Sequence, residues 1–251
     1  MYRINVILIL PLLMLLTSCV TVTDGGTDFE KASKINVQLG IGYYHRGNLE
    51  LANEKLVKAM KQNPKSSQAH HAYAVLQNRF LDKEKTEFYF NKAIELDPEN
   101  SEALNNFGAY LCTSGKIQEA EKMFMQALKN PLYRSPEVAF TSAAVCILKE
   151  GDFQRPKAKE YLTRALAIGN NYRPALITMA DITLAEKNNK LSSLYLKRYH
   201  LTGNATARSL WLSIQNELDK GDNSKVYELA GKLEQKFGNS KEYKQWLALN
   251  K

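Results

Sequence analysis

The chain has 251 residues, a formal charge of +8, and 44% apolar against 24% charged residues. That balance excludes a disordered or low-complexity chain and leaves enough apolar material for one domain or one solenoid with a sizeable buried surface. Lysine and arginine alternate with acids, as in Glu119-Ala-Glu-Lys122, so the positive charge reads as a solvated helical surface rather than a nucleic-acid-binding block.

Residues 1–18 read as a signal segment. Arg3 supplies the positive start, and Val6 to Leu16 is an apolar run of eleven residues. Such a run is short for a permanent membrane span and suits the apolar stretch of a signal peptide. It ends in Leu16-Thr17-Ser18-Cys19, which resembles a bacterial lipobox. The resemblance implies cleavage before Cys19 and several acyl chains on that residue, enough for stable anchoring. This covalent lipid is the only attached group expected. Val20 follows, without the aspartate that retains lipoproteins at the inner membrane, so the implied address is the periplasmic face of the outer membrane. Residues 19–32, polar and containing Thr23-Asp-Gly-Gly-Thr27, read as a lipidated flexible tether.

From residue 33 onward one pattern recurs. Leu39-Gly40, Tyr43, Ala52, Leu56, Ala59 and Pro64 are followed 34 residues later by Tyr73-Ala74, Phe90, Ala93 and Pro98, and again by Phe107-Gly108, Leu111, Ala120, Phe124 and Ala127. A 34-residue period with small residues at fixed offsets is the signature of the tetratricopeptide (TPR) repeat, two antiparallel helices A and B. The small residues permit close approach, Leu39, Tyr43, Leu56, Phe90, Phe107 and Phe124 fill the space between helices, and Pro64 and Pro98 end helix B. Ser33 is expected to cap the first helix A, and Gly47 to turn the chain into helix B. The phase slips by two residues at Pro131–Pro136 and again at Asp152–Pro156. The expected fold is all-α: a TPR superhelix over 33–251, with about six repeats near 33–66, 67–100, 101–136, 137–172, 173–206 and 207–239. A capping helix follows at 240–251, packing Tyr243, Trp246, Leu247 and Leu249 on the last apolar face.

The lipobox at Cys19, the runs Gln38-Leu-Gly-Ile-Gly-Tyr-Tyr-His-Arg-Gly-Asn48 and Ala103-Leu-Asn-Asn-Phe-Gly108, the Pro131-Leu-Tyr133 loop and Ala207-Arg-Ser-Leu210 together resemble the PilF/PilW lipoproteins of type IV pilus biogenesis. The resemblance covers essentially the whole chain. It implies a pilotin that binds the secretin subunit (PilQ) and promotes its localisation and multimerisation in the outer membrane. A general periplasmic scaffold docking cell-wall enzymes would share the same fold and lipid.

No catalytic or metal-binding constellation is present in the sequence: there is no His-Glu-x-x-His, no paired-cysteine metal motif and no phosphate-binding glycine loop. The expectation is a protein-binding chain without enzyme activity, metal, nucleic-acid partner or small-molecule substrate. Cys112 and Cys146 fall late in the A helices of repeats three and four, and an oxidising compartment favours a disulfide between them. The binding groove is expected on the A helices, at Val37, Ile41, Tyr44 and His45 in repeat one, His71, Val75, Asn78 and Arg79 in repeat two, and Asn105 and Ala109 in repeat three.

Overall fold

The computed structural model describes residues 25–249, so the signal segment, Cys19 and the start of the tether lie outside the described residues. The described chain is a succession of helical hairpins without strands, an all-α TPR superhelix. The first three repeats are α1 (Gly25–His45) with α2 (Leu49–Gln62), α3 (Ser67–Arg79) with α4 (Lys83–Leu96), and α5 (Ser101–Thr113) with α6 (Ile117–Ala127). The next three are α7 (Pro136–Ile147) with α8 (Arg155–Ile168), α9 (Arg173–Ala185) with α10 (Asn189–Leu201), and α11 (Ala207–Lys220) with α12 (Asn223–Phe237). Helix α13 (Lys241–Leu249) closes the array.

The small residues sit where helices nearly touch. A Cβ on Gly40 would lie 2.6 Å from Leu56 Cγ, and one on Gly108 2.8 Å from Phe124 Cε1. Ala52, Ala59, Ala93, Ala120 and Ala127 are fully buried on the facing B helices. Bulk fills what remains: Phe90 of α4 stacks on Phe107 of α5 at 5.2 Å, joining repeat two to repeat three.

Each A helix ends in a residue of positive φ. Gly47, Leu81, Gly115, Gly151, Lys187 and Gly221 have φ of 77, 61, 81, 131, 60 and 77°. Their steps of 34, 34, 36, 36 and 34 place both two-residue insertions within the fourth repeat's flanks. Glycine bears this conformation at no steric cost, whereas Leu81 and Lys187 do not.

Several expectations change. Helix α1 begins at Gly25, so the segment 25–32 continues the first helix rather than forming a flexible tether. Ser33 therefore lies inside a helix and caps nothing; its buried hydroxyl donates to the Ala59 carbonyl at 2.9 Å. The side-chain caps in the next repeats come from Ser66 and Asn100 instead. Leu39 is 42% exposed rather than packed between helices. Its counterpart two repeats on, Phe107, rests on the B helix of the preceding repeat, and among the described residues no such helix packs before Leu39. In α13 Trp246 is buried with Leu210, Ile214 and Leu233 and Tyr243 is half-buried, but Leu247 and Leu249 stay exposed because nine residues present only one narrow apolar stripe.

Cys112 of α5 and Cys146 of α7 form a disulfide with Cα atoms 5.7 Å apart, 34 residues apart in sequence. Closing a loop of that length stabilises by about 4 kcal/mol through the unfolded chain. Non-reduced, denatured protein should expose neither thiol, and reductant should lower the melting temperature; two titratable thiols at these positions would refute the bridge. Leu81 is 83% exposed, so replacing it loses little packing. Leu81→Gly should raise stability in urea unfolding by about 0.5–1 kcal/mol through relief of left-handed strain.

Candidate peptide-binding groove

Successive odd-numbered helices pack on one another, α1 on α3, α3 on α5 and onward to α9 on α11. Among the described residues, no two successive even-numbered helices pack to that extent. The odd helices are thus the inner layer, and their exposed faces line the concave side of the superhelix. Over the first three repeats this side holds a depression of about 580 Å³. Helix α1 contributes Lys34, Val37, Gln38 and Ile41, and α3 contributes Gln68 and His71. Asn100 and Glu102 at the start of α5, with Asp97 and Glu99 of the preceding turn, complete it.

The structure brings together only part of the expected groove. Ile41 is 40% exposed in the depression, and His71 lies in its floor. Val37 reaches the depression but is only 5% exposed, because its side chain belongs to the repeat-one core with Leu56 and Leu76. Tyr44 is half-buried against that same core, with its ring edge-on to His45 at 5.6 Å. His45, Asn78 and Arg79 are exposed at the far ends of α1 and α3, away from the depression. Val75 is half-buried against the larger core of repeats two to five, and Ala109 is exposed on α5.

Asn105 is buried, and its Oδ1 has no hydrogen-bond partner. Its amide group reaches Asn106 Oδ1 at 3.5 Å, and the Asn106 amide lies 2.8 Å from His71 Nε2. Polar groups therefore run from the depression's floor to a buried acceptor that is left unsatisfied. Burial pushes the His71 imidazole down to about 4, so the ring is neutral and Nε2 accepts from Asn106.

Lys34, Gln68 and Glu102 escaped the sequence reading, yet they are one position at successive 34-residue steps, one turn before the Val37, His71 and Asn105 series. That register held the signal. The acids Asp97 and Glu99 had none, because they sit in the turn between repeats. The depression carries three acids against Lys34, which already pairs with Glu30 at 2.7 Å.

Residues 89–122 match the tetratricopeptide repeat family. The type IV pilus assembly protein PilF of Pseudomonas aeruginosa is 30% identical over 243 residues, covering 93% of this chain and 94% of that one. The chain belongs to the PilF family. A solved structure of Pseudomonas aeruginosa PilF superposes with a TM-score of 0.80 at 28% identity, over 88% of this chain and 99% of the other. The structure of PilW, titled a widely conserved type IV pilus biogenesis factor, gives 0.77 at 26% identity, over 86% and 98%. An uncharacterized protein of Haemophilus influenzae is 26% identical over 130 residues, 52% of this PilF-family chain and 73% of its own.

His71 makes groove stability sensitive to acid. Its folded pKa lies below the unfolded value of about 6.5, so its contribution is complete above that pH and is lost as pH falls towards 4. His71→Gln should flatten the fall of unfolding free energy between pH 7 and 4.5 by about 1–2 kcal/mol, measured by urea titration. An unchanged slope would show that His71 binds its proton equally in the folded and unfolded states.

Proposed function

We propose that this chain is a lipid-anchored pilotin of type IV pilus biogenesis. It binds a segment of the secretin subunit, a PilQ-like protein, in the concave groove of repeats one to three. The lipid on Cys19 draws the complex to the periplasmic face of the outer membrane, where the secretin multimerises. The chain acts by binding and needs no catalysis, cofactor or small-molecule substrate.

The observation that carries this reading is the match to PilF along nearly the whole chain, 93% of this chain and 94% of that one. The groove adds physical support. Ile41 is an apolar side chain held in an open depression, a cost that a partner would remove on binding. Around it the acids Asp97, Glu99 and Glu102 favour a partner that carries a cation beside an apolar anchor. The unpartnered Asn105 Oδ1 offers an acceptor to a partner N–H.

In cells lacking the protein, heat-resistant secretin multimers should be lost or shifted from the outer-membrane fraction. Expression of the Ile41→Ala variant should leave helicity intact but lower secretin binding about tenfold, in line with truncating an apolar anchor. Cys19→Ala should retain binding and lose delivery. Normal multimers in the correct membrane without the protein would overturn the pilotin reading.

A further inference from the structure

Repeat six breaks the internal pattern at one buried position and places a charge at the next. The fifth residue before the positive-φ turn is Leu76, Tyr110, Cys146 and Ile182 in repeats two to five, all buried; in repeat six it is Asn216. The next position is Gln77, Leu111, Ile147 and Thr183, and then Glu217. Asn216 is 1% exposed. Its Nδ2 donates to Ser193 Oγ at 2.9 Å, while its Oδ1 has no partner. Replacing a core apolar residue by an amide with an unmet acceptor costs stability unless something else satisfies it.

Asn216 lines a slot of about 340 Å³ on the outer face of the superhelix. The slot exists because α10 and α12 do not close on each other, so α11 becomes its floor. Lys197 comes from α10, Lys220 from α11 and Lys225 from α12, against one acid, Glu217. Glu217 pairs with Lys220 at 2.9 Å and with Lys225 at 3.5 Å. Lys220 also donates to Ser193 Oγ at 2.7 Å, so it is held over the Asn216 amide. Lys197 and Ser193 are shared with a second, largely apolar depression of about 500 Å³ along α10, walled by Leu191 and Leu194. The corresponding gap between α2 and α4 has Glu50 facing Lys85, with no cation excess.

We propose that this slot is a second docking site, for an extended acidic segment of a partner protein. Carboxylates of the segment meet Lys197, Lys220 and Lys225, a main-chain N–H donates to Asn216 Oδ1, and an adjacent apolar side chain lies on Leu191 and Leu194. The length of the joined depressions and their apolar half fit a peptide rather than a small inorganic anion. The site faces away from the inner groove, so both are open at once, and it does not depend on what the groove binds.

The test is fluorescence anisotropy with the full chain in detergent micelles. The probe is a labelled dodecapeptide bearing Leu-Leu-Asp-Glu in a glycine–serine background, and its Leu-Leu-Asn-Gln counterpart is the control. Saturable binding of the acidic probe alone is expected at low salt. Lys197→Glu with Lys225→Gln, which keeps the Glu217–Lys220 pair, should weaken it about tenfold. Asn216→Leu should raise the melting temperature yet also weaken binding, whereas a merely structural Asn216 would leave binding unchanged. The Ile41→Ala variant should bind the probe normally, which separates this site from the secretin groove. Equal binding of both probes, no saturable binding, or affinity untouched by the lysine and asparagine changes would overturn the proposal.

Discussion

A hydroxyl from helix A to a carbonyl of helix B sets the geometry on which the rest depends. Ser33 donates to Ala59, Ser67 to Ala93 and Ser101 to Ala127, at 2.9, 2.7 and 3.0 Å and always 26 residues apart. Each alanine carbonyl lies in the last turn of its B helix, at a fully buried, side-chain-poor surface. The short serine can reach it only because Gly40 and Gly108 let the helices approach to contact. A neutral buried hydrogen bond adds about 1 kcal/mol net, but its larger effect is to fix the stagger of the two helices. Fixed stagger in each repeat fixes the place of the next, and so the curvature that gives the inner layer a groove. In repeat five the same 26-residue link is made by Arg173, which donates to the Tyr199 carbonyl at 2.6 Å and stacks over its ring. The longer side chain spans a hairpin that lacks the glycine and tolerates a looser approach.

Much of this architecture is legible in the sequence, because period and residue size are local properties. The phase of the repeats, both two-residue slips and the closing helix follow from glycine, alanine and proline at fixed offsets. What escapes is whatever depends on a neighbour. Leu39 and Phe107 hold the same position in their repeats, yet among the described residues only Phe107 has a preceding helix to lie on. Ser33 looks like a cap because serine often starts helices, but α1 extends eight residues further upstream and turns that serine into a clamp. The left-handed turns at Leu81 and Lys187 are invisible to composition, since neither residue favours that conformation and only the register places them there.

The groove was legible to the same degree. Period alone puts Ile41 and His71 on the inner surface, and the structure keeps both there. It cannot tell that Val37 and Tyr44 are drawn into the first core with Leu56 and Leu76. Among the described residues α1 packs only on helices that follow it, so its core draws on groove-side residues while Ile35 and Leu39 stay exposed.

The two surfaces proposed for binding follow from one packing asymmetry. Among the described residues, successive odd helices pack on each other more than successive even helices do, so the inner face is a continuous floor and the outer face is broken by slots. On the inner face, specificity comes from side chains that vary at one register position, Val37, His71 and Asn105. On the outer face, the residues that line each slot distinguish one from another. Repeat six carries Asn216 where repeats two to five hold Leu76, Tyr110, Cys146 and Ile182, and a charge, Glu217, at the next position, and both stand beside three lysines. A weak repeat is therefore not only a decayed copy of the pattern. Where polar residues replace core residues next to an open slot, loss of repeat character and gain of recognition chemistry are the same change in sequence.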